Sequence, residues 1–476
     1  MNILLMTTPY PVEERYGKTI KTIGPSLLPP LGLAYIAAVL RKGGHAVKIL
    51  DTTILNMSIQ QVGDYLRNNK FDVIGISVMT PMYKNFVETV KAIRPLIGKT
   101  AVIAGGPHPS ILPAETLKEN PGLDYAVFGE GEITFPRLVK AIGEKKDVSE
   151  VNGVAYRENS RIRLTRPPVL IEDLDSLPSP ALDLIPIEKY TPAPSQYKKL
   201  PMLHMVTSRG CPFRCTYCSS QSIFGRKYRM HSPERVINDI KDMIKKYNAK
   251  EIFFLDDLFT INKKWINEFC DKLIGEGIHK KICWSCNSRV DLVDLDLLKK
   301  MKKAGCWQIH FGIESGSQRL LDLIKKGITL EQSRNAVKLC KKTGIKTRAY
   351  FMLGLPTETR EESIRTIEFA KEIDPDYVKF SLTTPYPGTE LFDIVKKEGN
   401  LKSTSWDIYK TMGGFGGSER PYVPKGRTSK ELNELQKRAH KEFFFRPKVI
   451  LRFIFNISSF AEVKLYLKSA IALFKV

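Results

Sequence analysis

Cysteine is missing from the first 210 residues of this 476-residue chain; all eight, Cys211, Cys215, Cys218, Cys270, Cys283, Cys286, Cys306 and Cys340, come later. A secreted disulfide framework is not distributed that way, so a reducing, cytoplasmic setting is expected. Long apolar runs are also lacking: no stretch reaches 18 uncharged apolar residues, so no membrane-spanning helix is expected. The opening Met1-Asn-Ile-Leu-Leu-Met runs at once into Pro9, Pro11 and charges, without a signal-cleavage pattern. Acids are scarce, 51 against 74 bases, for a net charge of +23, and residues 401–476 hold 15 Lys+Arg but only 6 Asp+Glu. Such an excess suits nucleic acid, an anionic membrane surface or an acidic protein. No nucleic-acid recognition motif accompanies it, so nucleic acid is the least favoured. The rest is ordinary for a soluble globular chain, 42% hydrophobic and 26% charged, and the length calls for two or three domains.

Residues 2–142 alternate short apolar runs with helical patterns. Strands are expected at Asn2–Thr8, Ala46–Asp51, Phe71–Val78, Thr100–Ala104 and Tyr125–Phe128, with helices at Pro30–Lys42, Tyr83–Leu96 and Thr134–Ile142. That alternation predicts a doubly wound parallel sheet over residues 1–145, Rossmann-like, with ligands beyond the carboxyl ends of its strands. Three loops fall there: Thr8-Pro9-Tyr10, Gly105-Gly106-Pro107-His108-Pro109-Ser110, and Gly129-Glu130-Gly131-Glu132. Glycines after a strand permit close approach of a ligand, and they also simply make tight turns. Residues 146–200 read as a small hairpin, Asn152–Tyr156 with Arg161–Thr165, and a Pro-punctuated linker without a core of its own.

Strand–helix alternation resumes in residues 201–400. Six strands are expected, at Met202–Val206, Glu251–Leu255, Ile282–Asn287, Trp307–Gly312, Lys346–Leu353 and Tyr377–Leu382. Six βα units fall short of the eight that close a full barrel, and their polar, Gly- or Pro-rich residues gather at the carboxyl ends of the strands. The region 401–476 is basic and partly amphipathic, with Ile450, Phe453 and Ile454 on one helical face and Val463, Tyr466 and Leu467 on another. It packs on the barrel, covers a greasy substrate pocket or meets a membrane surface.

Cys211-Pro-Phe-Arg-Cys215-Thr-Tyr-Cys218 follows the first of these strands. Thiolates suit iron–sulfur clusters or zinc. Structural zinc sites are closed by four ligands. A [4Fe-4S] cluster also normally takes four, so three would leave one iron open. A zinc loop short of a ligand, or three buried thiols, are the other readings. The C-x3-C-x2-C spacing, with Tyr217 before the last cysteine, resembles the signature of the radical S-adenosylmethionine (SAM) superfamily. Pro-Pro-Leu-Gly-Leu-Ala-Tyr at 29–35, Gly-Gly-Pro-His-Pro-Ser and Gly-Glu-Gly-Glu, in that order, resemble the cobalamin-binding domain fused ahead of many such enzymes. The Asp-x-His-x-x-Gly motif that supplies a cobalt-ligating histidine is missing. The resemblance therefore implies cobalamin without a protein histidine on cobalt, or a domain that has lost cobalamin.

The same resemblance implies an open six-unit barrel in which Cys211, Cys215 and Cys218 hold the cluster and Tyr217 lies near the SAM adenine. Gly312-Ile-Glu314-Ser315-Gly316 looks like the family's fourth-strand SAM segment, which makes Glu314 and Ser315 candidate contacts. Arg348, inside the fifth strand, is a candidate partner for the SAM carboxylate or a substrate anion. Thr8, Gly105, Gly106, His108, Gly129 and Glu130 are the candidate cobalamin contacts. Asp256 and Asp257 either face SAM or substrate or cap their loop. Cys283 and Cys286 lie three apart in a strand and so point to opposite faces, which disfavours a metal or redox pair. Cys270, Cys306 and Cys340 read as small buried hydrophobes.

The activity so implied is anaerobic cleavage of SAM to a 5′-deoxyadenosyl radical, driven by a flavodoxin- or ferredoxin-type electron donor. With cobalamin present the outcome is C-methylation of an unactivated carbon. Oxidative cyclisation, or other lipid or tetrapyrrole modification, is the alternative. Methylthiotransferases carry cluster cysteines in their N-terminal domain, and none occurs here before Cys211. A cobalamin or iron–sulfur sensor would have no need of Glu314-Ser315. The substrate is a small molecule, and the low polarity of the tail favours an apolar or lipid one, with a peripheral membrane contact.

Overall fold

The computed structural model describes residues 1–11, 27–190, 192–403, 405–409 and 420–455. The first sheet has strands β1 (Asn2–Thr7), β2 (Ala46–Leu50), β3 (Val73–Ser77), β4 (Ala101–Gly105), β5 (Tyr125–Val127), β6 (Val154–Glu158) and β7 (Arg161–Leu164). Their order is β2-β1-β3-β4-β5-β6-β7; β1 to β5 are parallel and the last two antiparallel. Strand residues alternate between two apolar layers. Ile3, Leu5, Val73 and Ile103 pack under helices Leu31–Lys42 and Gly131–Gly143, while Leu4, Met6, Ile74 and Val102 pack under Ile59–Asn68 and Tyr83–Ile93. The chain reverses direction across the sheet between β1 and β3, which opens a crevice at their carboxyl ends.

Two features differ from the sequence reading. The hairpin at 154–164 forms the antiparallel edge of the first sheet instead of belonging to the linker, because Tyr125–Val127 offers it a free edge to pair with. The Pro-rich stretch after it is a packed strap. Short 3-10 turns at Leu174–Ser176, Leu182–Leu184 and Ile187–Lys189 bury Leu174, Leu182, Ile185 and Tyr190. Prolines set the turns, and the apolar residues between them supply the burial.

The second sheet is all parallel: β8 (Met202–Met205), β11 (Glu251–Phe254), β12 (Cys283–Ser288), β13 (Cys306–Glu314), β14 (Lys346–Leu353) and β15 (Tyr377–Leu382), each beside its predecessor. Between β8 and β11 lies a two-stranded antiparallel ribbon, β9 (Ser208–Arg209) with β10 (Arg229–Met230), whose connection carries the three clustered cysteines. Helix Pro233–Tyr247 follows, its first turn capped by Ser232 accepting from the Arg235 N–H at 3.1 Å. Outward-facing strand residues, among them Leu203, Phe254, Trp284, Ile309 and Phe351, join one apolar cluster with the surrounding helices. Helix Ser429–Phe444 adds Leu432, Leu435, Ala439 and Phe443 to that cluster, and its Gln436 side chain donates to the Phe380 carbonyl of the end strand at 2.8 Å. It thereby covers a sheet edge. Val463, Tyr466 and Leu467 lie outside the described residues.

Trp284 is fully buried against Phe254, Phe259 and Phe269, with ring centroids 5.5–5.7 Å away. Trp284→Ala is expected to cost about 3–5 kcal/mol, read as a lower denaturant midpoint of the full chain.

Candidate functional site

The cluster loop begins at Gly210, which has a φ of +85°; a Cβ there would lie 2.2 Å from the Lys227 carbonyl just before the returning strand. Only glycine lets the ribbon close this tightly. Farther along, Thr216 is clamped from both sides: its N–H donates to Ile324 at 3.0 Å and its carbonyl accepts from Leu391 at 2.8 Å. The Arg289 guanidinium sits 3.5 Å from the centre of the Phe213 ring. Cys211, Cys215 and Cys218 are all partly exposed on this held loop, unlike the five buried cysteines elsewhere. Burial pushes the Cys211 thiol up and the Cys218 thiol up to about 11, so thiolate formation accompanies metal binding. Among the described residues no three His, Cys, Asp or Glu side chains converge on a single ion. Three such thiols on one loop would suit an iron–sulfur cluster.

Facing the loop is the end of β13. Glu314 takes a left-handed φ of +69°, unusual for a non-glycine residue and a sign of a constrained site. Its carboxylate accepts from the Tyr217 hydroxyl and from Lys326 Nζ, both at 2.8 Å, and Lys326 also reaches the Tyr217 hydroxyl at 3.0 Å. A Cβ on Gly312 would lie 2.3 Å from Glu314 Oε1 and 2.9 Å from Lys326 Nζ, which explains the glycine two residues before the acid. Tyr217 and Glu314 are thus brought together, while Lys326 carried no sequence signal. Ser315 differs: its buried hydroxyl faces Thr366 at 3.2 Å and accepts from the Ser317 N–H, on the helix side of the sheet. Asp256 is a brace, accepting from the Thr207 and Ser208 hydroxyls and the Thr207 N–H. Burial pushes its carboxyl up to about 6 in spite of these donors. Asp257 takes the Ser220 hydroxyl. Arg348 lies low in its strand, with Nη2 2.6 Å from the Ser195 carbonyl, and does not join the cluster loop. Cys286 belongs to the outer apolar cluster whereas Cys283 sits 3.5 Å from Glu251, so the two do not form a site.

A cavity of about 470 Å³ occupies the crevice of the first sheet. Thr7, Ser77, Gly105, Gly106, Gly129 and Glu130 line it at the strand ends, and Val206, Arg209, Ile223 and Phe224 close it from the cluster-loop side. A Cβ on Gly105 would meet nothing within 4 Å, so this backbone opens onto free space. Among the described residues no histidine or cysteine lines the cavity. Thr8 is one residue out of place: its hydroxyl donates to the Ser77 carbonyl at 2.9 Å and ties β1 to β3. His108 is buried outside the cavity, with Nδ1 3.1 Å from the Thr80 hydroxyl and its ring 4.1 Å from Tyr83. Burial holds its pKa down to about 3. It is a packing residue, turned away by the short helix Pro107–Ile111.

Glu130 has a further task. Its buried carboxylate takes Arg229 at 2.8 Å and Arg209 at 3.4 Å and accepts the Ile171 N–H at 2.8 Å, while Glu132 takes Arg209 at 2.6 Å. Two acids at the start of helix Gly131–Gly143 therefore hold both strands of the ribbon that carries the cluster loop. Arg209 stands two residues before Cys211, but nothing in the sequence named its partner.

A radical SAM superfamily model matches residues 205–370, and a B12-binding domain model matches residues 18–139. A protein described as an uncharacterized methyltransferase from Pyrococcus horikoshii is 37% identical over 460 residues, 97% of this chain and 96% of its own. This chain belongs to the radical SAM superfamily. The anaerobic magnesium-protoporphyrin IX monomethyl ester cyclase of Rubrivivax gelatinosus is 32% identical over 76% of this radical SAM protein and 66% of its own length. The cobalamin-dependent SAM radical enzyme OxsB, solved with aqua-cobalamin and SAM, shares the fold at a TM-score of 0.75 and 20% identity, over 99% of this chain and 72% of its own.

The cofactors of this radical SAM enzyme are SAM, a [4Fe-4S] cluster and cobalamin. The residues present fit them. Three thiols on one held loop suit the cluster, and an apolar, glycine-opened cavity against that loop suits cobalamin held without a histidine ligand.

Removing one partner from a buried ion pair leaves the other charge uncompensated. Arg229→Met is expected to destabilise the full chain by about 3–5 kcal/mol in denaturant unfolding, and adding Glu130→Gln to recover part of the loss.

Proposed function

We propose that this enzyme methylates an unactivated carbon of a small molecule. The observation that supports this best is the shared wall: one cavity is lined both by the strand ends of the B12-binding sheet and by residues flanking the cluster loop. When bound, the cluster and SAM supply one-electron cleavage to a 5′-deoxyadenosyl radical, and cobalamin supplies the methyl group. The chain's part is to place and enclose. Cys211, Cys215 and Cys218 hold the cluster; Tyr217 and Glu314, fixed by Lys326, orient SAM beside it; Gly105, Gly106 and Gly129 admit cobalamin to the cavity; and the Glu130 and Glu132 ion pairs keep the two halves in register. Arg209 bonds Glu132 on the cavity wall, so water is displaced there by a fixed ion pair.

Electrons come from a flavodoxin- or ferredoxin-type donor, in the cytoplasm. The reading without methyl transfer, oxidative cyclisation, is favoured by the relationship to the magnesium-porphyrin cyclase. The two separate in one assay. Under reduction with SAM and cobalamin, methylation yields S-adenosylhomocysteine alongside 5′-deoxyadenosine, since a second SAM restores the methyl group, whereas cyclisation yields 5′-deoxyadenosine alone. The Cys215→Ala enzyme is expected to lose both products and most of its iron; 5′-deoxyadenosine from that variant would overturn the cluster assignment.

We also propose a peripheral membrane contact. Helix Pro447–Phe455 is seated by Val449 and by Arg446 and Arg452 on Asp374, at 2.8 and 2.7 Å. It turns Ile450, Leu451, Ile454 and Phe455 outward, the last 83% exposed, and Lys448 lies beside them. An apolar ridge flanked by cations suits an anionic bilayer. Sedimentation with phosphatidylglycerol vesicles is expected for the intact chain and lost on Leu451→Glu with Ile454→Glu; equal pelleting of both proteins would refute the contact.

A further inference from the structure

The inner face of the second sheet is polar where a packed barrel interior is aliphatic. His204, Phe253, Ser285 and Gln308 form one layer in register across four neighbouring strands, and Arg348 lies directly across from His310 one step above. Phe253 joins the layer, its ring 5.9 Å from His204 and 4.9 Å from His310. All these side chains are buried, yet His204 Nε2, Ser285 Oγ, Gln308 Nε2 and Arg348 Nε have no hydrogen-bond partner among the described residues. Buried polar atoms are normally matched, so four together on one surface mark a place built for a ligand.

The chemistry of the four is biased. The Gln308 amide nitrogen and the Arg348 guanidinium can only donate. The guanidinium meets the Ser195 carbonyl and the Tyr377 ring, and no carboxylate pairs with it among the described residues. The inner carboxylates above and below are engaged elsewhere: Glu314 with Lys326, Glu251 with the Lys198 and Lys199 N–H groups and Trp307. Lys379 adds a second cation on the neighbouring strand, and burial, then the Arg348 charge, holds its pKa down. Residues 195–199 of the strap close the lumen below Arg348, while Tyr350, Met352 and Ser381 above it are partly exposed. Five residues separate Arg348 from the end of β14, about 16 Å of extended strand, which is too deep for a SAM molecule held at the cluster loop.

We propose that Arg348, with Lys379, Gln308 and His204, anchors a carboxylate or phosphate of the substrate at the closed floor of the barrel, the rest of an elongated molecule rising past Tyr350 and Met352 toward the cluster loop. The position of the reacting end rests on the radical SAM reading; the anion site does not.

Calorimetric titration of the full chain, without SAM or reductant, tests the site with decanoate, decyl phosphate and decanol as probes. Either acid is expected to bind at least tenfold more tightly than the alcohol, and the preferred acid distinguishes carboxylate from phosphate. Arg348→Gln is expected to abolish that preference, Arg348→Lys to restore part of it and Lys379→Gln to weaken it. Equal binding of acid and alcohol, or an unaltered preference in both Arg348→Gln and Lys379→Gln, overturns the proposal. Should Arg348→Gln fail to fold, the acid-to-alcohol ratio of the unaltered chain and of Lys379→Gln decides. A chain that prefers acids but makes no 5′-deoxyadenosine keeps the anion site and loses the enzyme reading. One that makes 5′-deoxyadenosine without acid preference loses the anion site alone.

Discussion

Four charges hold this molecule in its working arrangement. Glu130 and Glu132 leave the end of a strand in the first sheet, and Arg209 and Arg229 stand on the two strands of the ribbon that bears the cluster cysteines. Both glutamates and both arginines are almost entirely shielded from water, so loss of either sign leaves an expensive buried charge. Such a group adds little net stability over an apolar interface, but it sets position, because charge-assisted hydrogen bonds tolerate little displacement. The cavity wall, the cluster loop and the strap residue Ile171 all take their places from this set.

Position matters because the chemistry lies in groups that the chain only holds. One cavity opens from the crevice of a sheet whose two faces are apolar; the three clustered thiols rest on a loop that leaves a sheet apolar on its outer face and polar within. The two sheets meet at their carboxyl ends, where strand geometry leaves backbone groups and loops free for ligands. The left-handed Glu314 and the glycines at 210 and 312 are local costs accepted at that junction.

Much of this was legible in the residues. Short apolar runs separated by helical patterns placed all six strands of the second sheet and the five parallel strands of the first. The hairpin and strap were misjudged because composition reports turns and does not report what the turns pack against; Leu182 and Tyr190 look like loop residues until the neighbouring helices cover them. His108 and Ser315 drew notice through the motifs around them, and their side chains turn out to face Thr80 and Thr366.

The sequence by itself determined the fold class and three closely spaced thiols on one loop, because each depends on local pattern, whereas Tyr217 and Glu314 were marked only by the family resemblance. Only the tertiary structure decided that Lys326 completes the Glu314 site, that Glu130 holds Arg229 across 99 residues, and that Arg348 lies at the floor of the lumen. These depend on which strands become neighbours and in what register. Long-range pairing of that kind is set by the burial of whole faces, and no short motif records it.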